Sequence, residues 1–214
     1  MIWYIYGAGG LGIETMDILV DSLSESNSKD VALLFLVDEP AVSTINGYPV
    51  VAWRDCDPNA NVTIAVGEPE IRAILANKCI DKGLKLRSVV SPKAYISPSA
   101  ILSDGVVVAP FASVQAGAVL AYNVSVNTHA CIGHHSNIME HVVISSQVNL
   151  GGNSTVGAKS YLGMGALVKE QIKIGSGTIL GMGSVAYKDI PDEVIAVGNP
   201  ARPAKRNESK RVFS

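Results

Sequence analysis

An aliphatic residue stands at every sixth position from Val90 to Leu180. An α-helix would repeat about every 3.6 residues and a half-buried strand about every 2, so neither produces this spacing. A period of six is typical of a β-helix, in which short strands alternate with corners and stack into a prism. The series is Val90, Ile96, Leu102, Val108, Val114, Leu120, Val126, Ile132, Ile138, Ile144, Leu150, Val156, Leu162, Val168, Ile174 and Leu180.

Other positions of the hexad support the same prism. The fourth residue after each aliphatic residue is small or β-branched in nearly every repeat, as a tight inward-facing corner requires. Glycine recurs directly after the aliphatic residue, where we expect the chain to turn. These glycines are Gly133, Gly151, Gly157, Gly163, Gly175 and Gly181. Three hexads make one triangular coil, so residues about 18 positions apart are expected to be stacked.

The residues before the repeats alternate between apolar strands and helical segments. The pattern predicts strands at Ile2 to Tyr6, Val31 to Val37, Val62 to Val66 and Leu84 to Val89, and helices at Ile13 to Leu23 and Pro69 to Lys82. This alternation predicts a small parallel sheet. We therefore expect an α/β, Rossmann-like domain at residues 1–88, a parallel β-helix at residues 89–188, and a C-terminal cap and tail at residues 189–214. The first domain should cover one end of the prism and the last segment the other.

A glycine motif follows the first predicted strand. Gly7, Gly9 and Gly12 fit the G-x-G-x-x-G pattern, which lets phosphate oxygens approach backbone N–H groups at the start of a helix. Asp38, at the end of the next strand, fits a nucleoside contact. The alternative is that these glycines only pack a helix against a strand. The first domain is too short for two mononucleotide halves, so a nucleotide-linked ligand suits it better than NAD, and an NAD-dependent oxidoreductase would rest on this motif alone.

Composition excludes several classes of protein. The net charge of -2 and the pI near 6.1 give no electrostatic reason to bind nucleic acid. Cys56, Cys79 and Cys131 are odd in number and widely spaced, which argues against a disulfide framework. No stretch of about 18 apolar residues is present, so we expect no membrane insertion. These features favour a cytoplasmic protein.

Four stretches of the chain point to a known family. They are Tyr4 to Gly10, Ile64 to Gly67 followed by Glu70 to Arg72, Val126 to Thr128, and Val197 to Arg202. Together with the hexads they resemble the sugar-nucleotide acetyltransferases with a left-handed β-helix, a group that includes the bacillosamine-pathway N-acetyltransferase and the sialic-acid O-acetyltransferases. The resemblance implies a left-handed prism, a homotrimer, acetyl-CoA bound between subunits, and a nucleotide-activated sugar held by the first domain. It also implies a role in bacterial surface glycan biosynthesis.

All four histidines of the chain, His129, His134, His135 and His141, lie close together in the repeats. A β-helix surface has no evident structural need for imidazole, so the cluster indicates chemistry. Imidazole titrates near neutrality and can accept a proton from an attacking amine or hydroxyl group. A backbone N–H would meanwhile stabilise the tetrahedral oxyanion.

His134 is the strongest catalytic candidate. It matches the catalytic histidine of the family, and its expected neighbours one coil away, Ala116 and Gly152, are small enough to leave room for a thioester. His135 follows directly, where the family often has Glu or Asp, and could orient His134 as a second catalytic residue. Val143 stands where some relatives carry a second, cofactor-contacting histidine.

The resemblance also assigns binding residues. Gly152, Met164 and Gly181 are expected to contact acetyl-CoA. Gly9, Gly10 and Leu11 would approach the diphosphate of the nucleotide sugar, and Asp38, Glu39 and Gly67 its nucleoside. Leu11 replaces a histidine found after the glycines in many members.

The predicted reaction is acetyl transfer from acetyl-CoA to the amino group of a UDP- or dTDP-linked 4-amino-sugar. One alternative is O-acetylation of a sialic acid or another sugar hydroxyl, and a non-enzymatic alternative is a trimeric nucleotide-sensing scaffold. Some carbonic anhydrases share the left-handed prism, and His129 and His134 have the spacing of two of their zinc ligands. Their third ligand would fall on Lys93, which is a poor zinc ligand, so no metal is expected.

Overall fold

The computed structural model describes residues 1–25 and 30–213. Its first part is an α/β sheet with one helix on each face. In chain order the elements are β1 (Ile2–Tyr6), α1 (Gly10–Glu25), β2 (Ala32–Val37), β3 (Thr44–Ile45), β4 (Tyr48–Ala52), a 3-10 turn (Trp53–Asp55), β5 (Asn61–Ile64), α2 (Pro69–Lys82) and β6 (Lys85–Leu86). The strand order is β3-β4-β2-β1-β5-β6, and all neighbouring pairs are parallel except β3 with β4.

Alternate side chains of the central strand, β1, pack toward the two helices on opposite faces of the sheet. Ile5 packs with Met16 and Leu19 of α1 in one apolar cluster, whereas Tyr4 and Tyr6 belong to another cluster with residues of α2. This division follows from the alternation of side chains along a strand. The predicted α/β architecture is confirmed.

The hairpin of β3 and β4 was not predicted. Asn46 and Gly47, which connect its strands, both have positive φ angles, 48° and 84°. Asn-Gly is the pair that favours such two-residue turns, so the sequence did carry a signal for it.

The second part is the predicted parallel β-helix, and it is left-handed. Its two-residue strands are β7 (Val89–Val90), β8 (Tyr95–Ile96), β9 (Ile101–Leu102), β10 (Val107–Val108), β11 (Ser113–Val114), β12 (Val119–Leu120), β13 (Ser125–Val126), β14 (Cys131–Ile132), β15 (Asn137–Ile138), β16 (Val143–Ile144), β17 (Asn149–Leu150), β18 (Thr155–Val156), β19 (Tyr161–Leu162), β20 (Leu167–Val168), β21 (Lys173–Ile174), β22 (Ile179–Leu180) and β23 (Val185–Ala186). Val108 pairs with Val126 and Val126 with Ile144, so the expected stacking of residues one coil apart is confirmed.

The strands form three faces of the prism. We call face 1 the sheet that begins with β7 and β10, face 2 the sheet that begins with β8 and β11, and face 3 the sheet that begins with β9 and β12. The second residue of nearly every strand points inward and is buried in one continuous apolar core. Hydrophobic burial of this hexad series therefore defines the prism.

Two different constraints act at the corners of the prism: a positive φ angle at one position and close approach between coils at another. From Leu102 to Leu180, the third residue after each aliphatic residue of the series has positive φ, for example Gly117 at 67° and Asn153 at 57°. The glycines directly after the aliphatic residue do not, so the expectation that the chain turns at them is wrong. They are needed because a Cβ on Gly151 or Gly157 would lie 2.4 Å from a backbone nitrogen of the next coil. Close approach between coils requires these glycines, and the turn lies two residues later.

The first part packs against the side of face 1. Val107, Ser125 and Val143 point outward from this face, yet all three are buried. In contrast, Ile96 and Leu102, which point inward in the first coil, are only partly buried. The expected covering of the prism end is thus incomplete, since the α/β part covers a side of the prism instead.

The last strands extend face 1 beyond the regular coils. β24 (Val194–Gly198) pairs in parallel with β22, and β25 (Ala201–Arg206) returns antiparallel to β24. The chain then runs from Asn207 back to the α/β part, where Val212 contacts Glu68. No helix within residues 1–25 and 30–213 has the length and apolar character needed to cross a membrane.

Candidate active site

Backbone conformation separates His134 from the other histidines. His129, His135 and His141 occupy the corner position with positive φ, at 58°, 55° and 61°. Histidine and asparagine are among the side chains that tolerate this conformation best. These three histidines therefore have a conformational role at the corners, and clustering alone does not indicate chemistry for them. His134 is the one histidine outside this corner series.

The rings of His134 and His135 are close together and exposed. Their Nδ1 atoms lie 3.2 Å apart, and the ring planes are nearly perpendicular at 79°. One Nδ1 must donate a hydrogen to the other. If the Nδ1 of His134 is the donor, its Nε2 is left with a free lone pair that can accept a proton. The pair thus allows the tautomer that a general base needs.

The absence of a side chain at Gly152 leaves room for the His134 ring. A Cβ on Gly152 would lie 2.6 Å from both Cε1 and Nε2 of His134, so the ring rests on the backbone of the next coil. The carbonyl of His134 accepts a hydrogen bond of 2.8 Å from the N–H of Asn153, and the N–H of His135 donates to Ala116 over 2.9 Å. The structure therefore places His134 between residues 116 and 152, as the repeat predicts.

A groove of about 480 Å³ runs along face 2 beside this corner, and Gly152 lines it together with Cys131, Asn149, Leu167 and Lys169. The chemistry of the lining is mixed, with backbone of glycines, the side-chain amides of Gln115 and Asn149, and the ammonium group of Lys169. The groove thus offers both apolar area and a cation within reach of the His134 corner.

Two predicted cofactor contacts lie elsewhere. Met164 and Gly181 follow strands β19 and β22, at the corner between faces 1 and 2, whereas His134 lies at the corner between faces 2 and 3. Met164 is 52% exposed. One chain therefore brings Gly152 to His134 but keeps Met164 and Gly181 across face 2.

The glycine motif divides into structural and open positions. A Cβ on Gly7 would lie 2.6 Å from the carbonyl oxygen of Ala65, and one on Gly12 only 2.1 Å from that of Gly7. These two glycines are needed for packing, in agreement with the alternative interpretation of the motif. A Cβ on Gly9 or Gly10 would meet no atom within 4 Å, and both residues are exposed at the start of α1.

The remaining predicted substrate residues surround the carboxyl ends of the strands. Leu11 and Gly67 are neighbours, since a Cβ on Gly67 would lie 3.9 Å from the Cδ2 atom of Leu11. Asp38 is already engaged, because it accepts a hydrogen bond of 2.6 Å from the hydroxyl of Tyr6 and forms an ion pair with Lys78. Glu39 is exposed.

At this edge of the sheet, Lys78 and Tyr6 affect the pKa of Asp38. The hydrogen bond from Lys78 lowers the pKa of the Asp38 carboxyl, and the bond from Tyr6 adds to this effect. Burial, followed by the bond to Asp38, raises the pKa of Tyr6. The ammonium of Lys78 also lies 4.4 Å from the ring centroid of Trp53. Lys78 is a charged group at the predicted ligand edge that sequence reasoning missed.

A cleft of about 330 Å³ separates α1 from the prism. We call it the front cleft; Leu11 and Thr15 line it from the α/β part, and Asn127, Thr128 and Ser146 from the prism. It runs from the predicted diphosphate contact at Leu11 to the corner between faces 1 and 2.

A buried arginine connects the two parts of the chain. Arg72 of α2 is fully buried, and its guanidinium donates to the carbonyl oxygens of Ile64, Val66 and Asn123 and to the side-chain Oδ1 of Asn123. Burial lowers the pKa of Arg72 to about 9. We call these contacts the Arg72 clamp. The two partners lie 51 residues apart in sequence, which explains why no local pattern revealed the clamp.

His141 belongs to the same clamp. Its Nδ1 lies 3.0 Å from the Nδ2 of Asn123, whose amide hydrogen it can accept. Burial, together with the positive charges of Arg72 and Lys159, lowers the pKa of His141. A neutral imidazole therefore suits this position.

Within residues 1–25 and 30–213, no group of three or more His, Cys, Asp or Glu side chains is arranged to hold a metal ion. Lys93 instead lies 3.9 Å from a carboxylate oxygen of Asp21.

Solved structures share this architecture over nearly its whole length. The acetyltransferase domain of PglB from Neisseria gonorrhoeae, in complex with acetyl coenzyme A, is 35% identical with a TM-score of 0.87, and the match covers 94% of this chain and 98% of that one. A mutant of perosamine N-acetyltransferase from Caulobacter crescentus, in complex with CoA and GDP-perosamine, is 27% identical with a TM-score of 0.87 over 96% and 97% of the two chains. WeeI from Acinetobacter baumannii is 28% identical with a TM-score of 0.84 over 95% and 99%.

Curated relatives match over a shorter region. A putative acetyltransferase of Schizosaccharomyces pombe is 43% identical over 47 residues, which are 22% of this chain and 23% of that protein. A serine acetyltransferase of Buchnera aphidicola is 38% identical over 50 residues, 23% of this chain and 18% of that protein. The chain therefore spans less than a quarter of the length of these two relatives. No protein-family model matches the chain.

Proposed function

Because the chain belongs to the family of hexapeptide-repeat sugar N-acetyltransferases, in agreement with the resemblance found in its sequence, we propose that it transfers acetyl from acetyl-CoA to the amino group of a nucleotide-linked amino sugar. The observation that carries the proposal is the position of His134. Its exposed ring rests on Gly152 at the edge of the face 2 groove, with Nδ1 directed at His135.

In the proposed reaction His134 acts as general base. The neutral amine of the sugar attacks the thioester carbonyl, and the Nε2 of His134 removes a proton from the amine as the new C–N bond forms. The tetrahedral intermediate then breaks its C–S bond, and the departing thiolate takes up the proton. The products are the N-acetylated sugar and free CoA. A backbone N–H in the Gly152 region would stabilise the oxyanion.

The co-substrate is assigned to the face 2 groove. Gly152 lies beside the base, and Met164 and Gly181, at another corner of the prism, would contact the acetyl-CoA from a neighbouring subunit. The relative from Neisseria gonorrhoeae was solved with acetyl coenzyme A, which supports this co-substrate. Lys169, which lines the groove, supplies a positive charge for phosphate groups.

The nucleotide sugar is assigned to the α/β part. Gly9, Gly10 and Leu11 would approach its diphosphate, since Gly9 and Gly10 expose backbone at the start of α1. Asp38, Glu39 and Gly67 would lie near its nucleoside. The relative from Caulobacter crescentus binds GDP-perosamine, so GDP joins UDP and dTDP among the nucleotides to be tested.

We also propose that the active unit is a homotrimer. The front cleft reaches the corner between faces 1 and 2, whereas His134 lies at the next corner. Prisms packed around a threefold axis would bring these two corners of neighbouring subunits together and complete the site. The same arrangement would let Met164 and His134 of different subunits contact one molecule of acetyl-CoA.

The proposal includes a cytoplasmic setting and a role in bacterial surface glycan biosynthesis. Cys56, Cys79 and Cys131 are free thiols, which suits a reducing compartment.

Thiol release from acetyl-CoA tests the proposal. The acceptors would be UDP-, dTDP- and GDP-linked 4-amino-sugars, the matching 4-hydroxy compounds, and free sialic acid. We expect release only with nucleotide-linked amino sugars, together with a product heavier by one acetyl group. Activity on a free sugar or amino acid, with no acceleration by any nucleotide sugar, would refute the substrate assignment. Activity on the hydroxyl compounds alone would favour O-acetylation.

A further inference from the structure

The segment Glu208–Phe213, which we call the strap, connects the C-terminal coils of the prism to the α/β part. At its start the N–H of Asn207 donates to the carbonyl of Glu193 over 2.8 Å, and the side-chain amide of Asn207 donates to Gly177 over 2.9 Å. At its end the N–H groups of Val212 and Phe213 donate to the carboxylate of Glu68, over 2.7 and 3.2 Å. Both ends of the strap are thus attached to the folded body.

Glu68 is placed to hold the strap. It precedes α2 at the N-cap position, yet its side chain makes no capping hydrogen bond to that helix. It is only 9% exposed, and both carboxylate oxygens accept backbone N–H groups of the strap. A largely buried carboxylate needs such partners, so the contact has an energetic reason on both sides.

The strap delivers an aromatic ring to the predicted ligand edge. The ring of Phe213 meets that of Tyr161 on face 1 edge to face, with centroids 5.7 Å apart. The position of a Cβ on Gly67 lies 3.5 Å from the Cε2 atom of Phe213 and 3.9 Å from the Cδ2 atom of Leu11. Phe213 therefore lies between the α/β part and the prism, next to two residues assigned to the nucleotide sugar.

Much of this ring is open. Phe213 is 57% exposed although it contacts both parts of the molecule. Ligand sites combine apolar and aromatic walls with a few polar contacts, and aromatic rings contribute large apolar area. Around Leu11 and Gly67 the ring supplies a wall of this type.

We infer that Phe213 is a specificity-determining residue whose ring forms the wall against which the sugar ring of the nucleotide sugar packs, with Glu68 as the residue that positions it. The inference rests on the proposed function. A nucleotide held by the α/β part must extend its sugar toward the prism, and Phe213 contacts the molecule on both sides of that interval. Gly67 and Leu11, its neighbours on the α/β part, are assigned to the nucleoside and the diphosphate, so the contact with Tyr161 on the prism is what assigns the sugar, which extends beyond them, as the partner of Phe213.

The first experiment separates the sugar from the nucleotide. We would measure kcat and KM for the nucleotide sugar and the Kd of the parent nucleoside diphosphate in Phe213→Ala and Phe213→Tyr. Phe213→Ala should raise KM about 5-fold, the order of magnitude of one aromatic contact, and leave kcat and the Kd unchanged. Phe213→Tyr should retain the wild-type KM. Ile80→Ala, which removes a similarly exposed apolar side chain from α2, is the matched control.

The second experiment tests the positioning role of Glu68. Glu68→Ala should raise KM to the same extent as Phe213→Ala, and Glu68→Gln, which keeps one acceptor oxygen, should restore part of the loss. Glu70→Gln is the control, because Glu70 faces Lys159 instead of the strap. Trypsin should cleave after Lys210 and Arg211 faster in Glu68→Ala than in the wild type, and a bound nucleotide sugar should slow this cleavage in the wild type.

Three results would overturn the inference: an unchanged KM in Phe213→Ala, an equal loss of affinity for the nucleoside diphosphate, or a lower KM. The last would mean that the strap blocks the site. The proposed function fails differently, since the wild-type chain would then release no thiol with any nucleotide sugar, and this inference would fall with it. If the wild type turns over a nucleotide sugar but Phe213→Ala has an unchanged KM, only the role of Phe213 is refuted.

Discussion

At the scale of single residues, the proposed chemistry depends on where the ring of His134 can lie. The ring occupies space that a side chain at residue 152 would take, and its Nδ1 is paired with His135. This pairing is compatible with a base at Nε2 of His134 when the Nδ1 of His134 is the donor, because a base at Nε2 needs the hydrogen at Nδ1. In the proposed reaction His135 would orient His134 without the charge of a carboxylate.

His134→Asn should lower kcat about 10²- to 10⁴-fold, because a positioned general base contributes acceleration of that order. Its fold should remain, since the His134 ring is exposed. Steady-state kinetics with the best acceptor and circular dichroism would check both points. The control is His129→Asn at a corner of positive φ, which asparagine tolerates, and it should keep the wild-type kcat. Wild-type turnover in a folded His134→Asn would exclude the proposed base.

His141 predicts how stability depends on pH. Its pKa is lowered in the folded chain, first by burial and then by Arg72 and Lys159, while Glu140 and Glu70 act in the opposite sense. In the unfolded chain a histidine has a pKa of about 6.5. Below about pH 6.5 the unfolded chain binds a proton at His141 more readily than the folded chain does. The stability that neutral His141 contributes is therefore fully present above about pH 6.5 and is lost as the pH falls toward the lowered folded pKa.

The measurement is the free energy of unfolding in urea from pH 8 to pH 5, for the wild type and for His141→Asn. Asparagine suits the positive φ of 61° at this corner. The variant should lose less stability per pH unit on acidification than the wild type does. Parallel curves would show that His141 does not titrate in the way we expect.

At the scale of elements, the corners of the prism impose two requirements on neighbouring positions. Gly157→Ala would bring a Cβ within 2.4 Å of the backbone nitrogen of Ser176. We expect a loss of about 1–3 kcal/mol in the free energy of unfolding, as for other overpacked sites. Gly165→Asn is the control, because Gly165 has a φ of 68° and open space around it. Equal effects of the two changes would contradict this division.

Local sequence predicts elements better than it predicts the constraints between them. The hexads from Val90 to Leu180 predicted the strands and their stacking, because apolar burial has the same period as the coil. Glycine at the corners was assigned to the wrong constraint, since a composition pattern does not distinguish positive φ from close approach between coils. In the site, the position of His134 beside Gly152 followed from the repeat. The roles assigned to Gly9, Met164 and Gly181 remain predictions.

At the scale of the whole molecule, the Arg72 clamp determines how the α/β part sits on the prism. Its contacts join residues 51 positions apart, and such pairs have no local signature in a single sequence. The strap is similar, because Glu68 and Val212 are 144 positions apart. What the sequence could not predict is therefore mainly the connection between its two parts.

Arg72→Met should lower the free energy of unfolding by at least about 3 kcal/mol, since several buried carbonyl groups would lose their donors. Urea denaturation at fixed protein concentration would measure this loss. Arg87→Met is the control, because Arg87 is exposed and makes one longer bond of 3.3 Å to Asn61. A loss below about 1 kcal/mol in Arg72→Met would mean that the clamp is not a main connection between the two parts.

Because the coils pair in parallel, height along the prism increases in equal steps, one for each coil. Each coil adds one rung of about 4.8 Å, the spacing of neighbouring strands. The α/β part is fixed at the corner of Asn123, and His134 stands two corners further along the chain. The reach between the nucleotide-holding edge and the base can therefore be lengthened or shortened only by whole rungs. An insertion that is not a multiple of six would turn apolar residues outward, and one of six or twelve residues would move the following residues to another face, so substrates of different size call for a different number of whole coils.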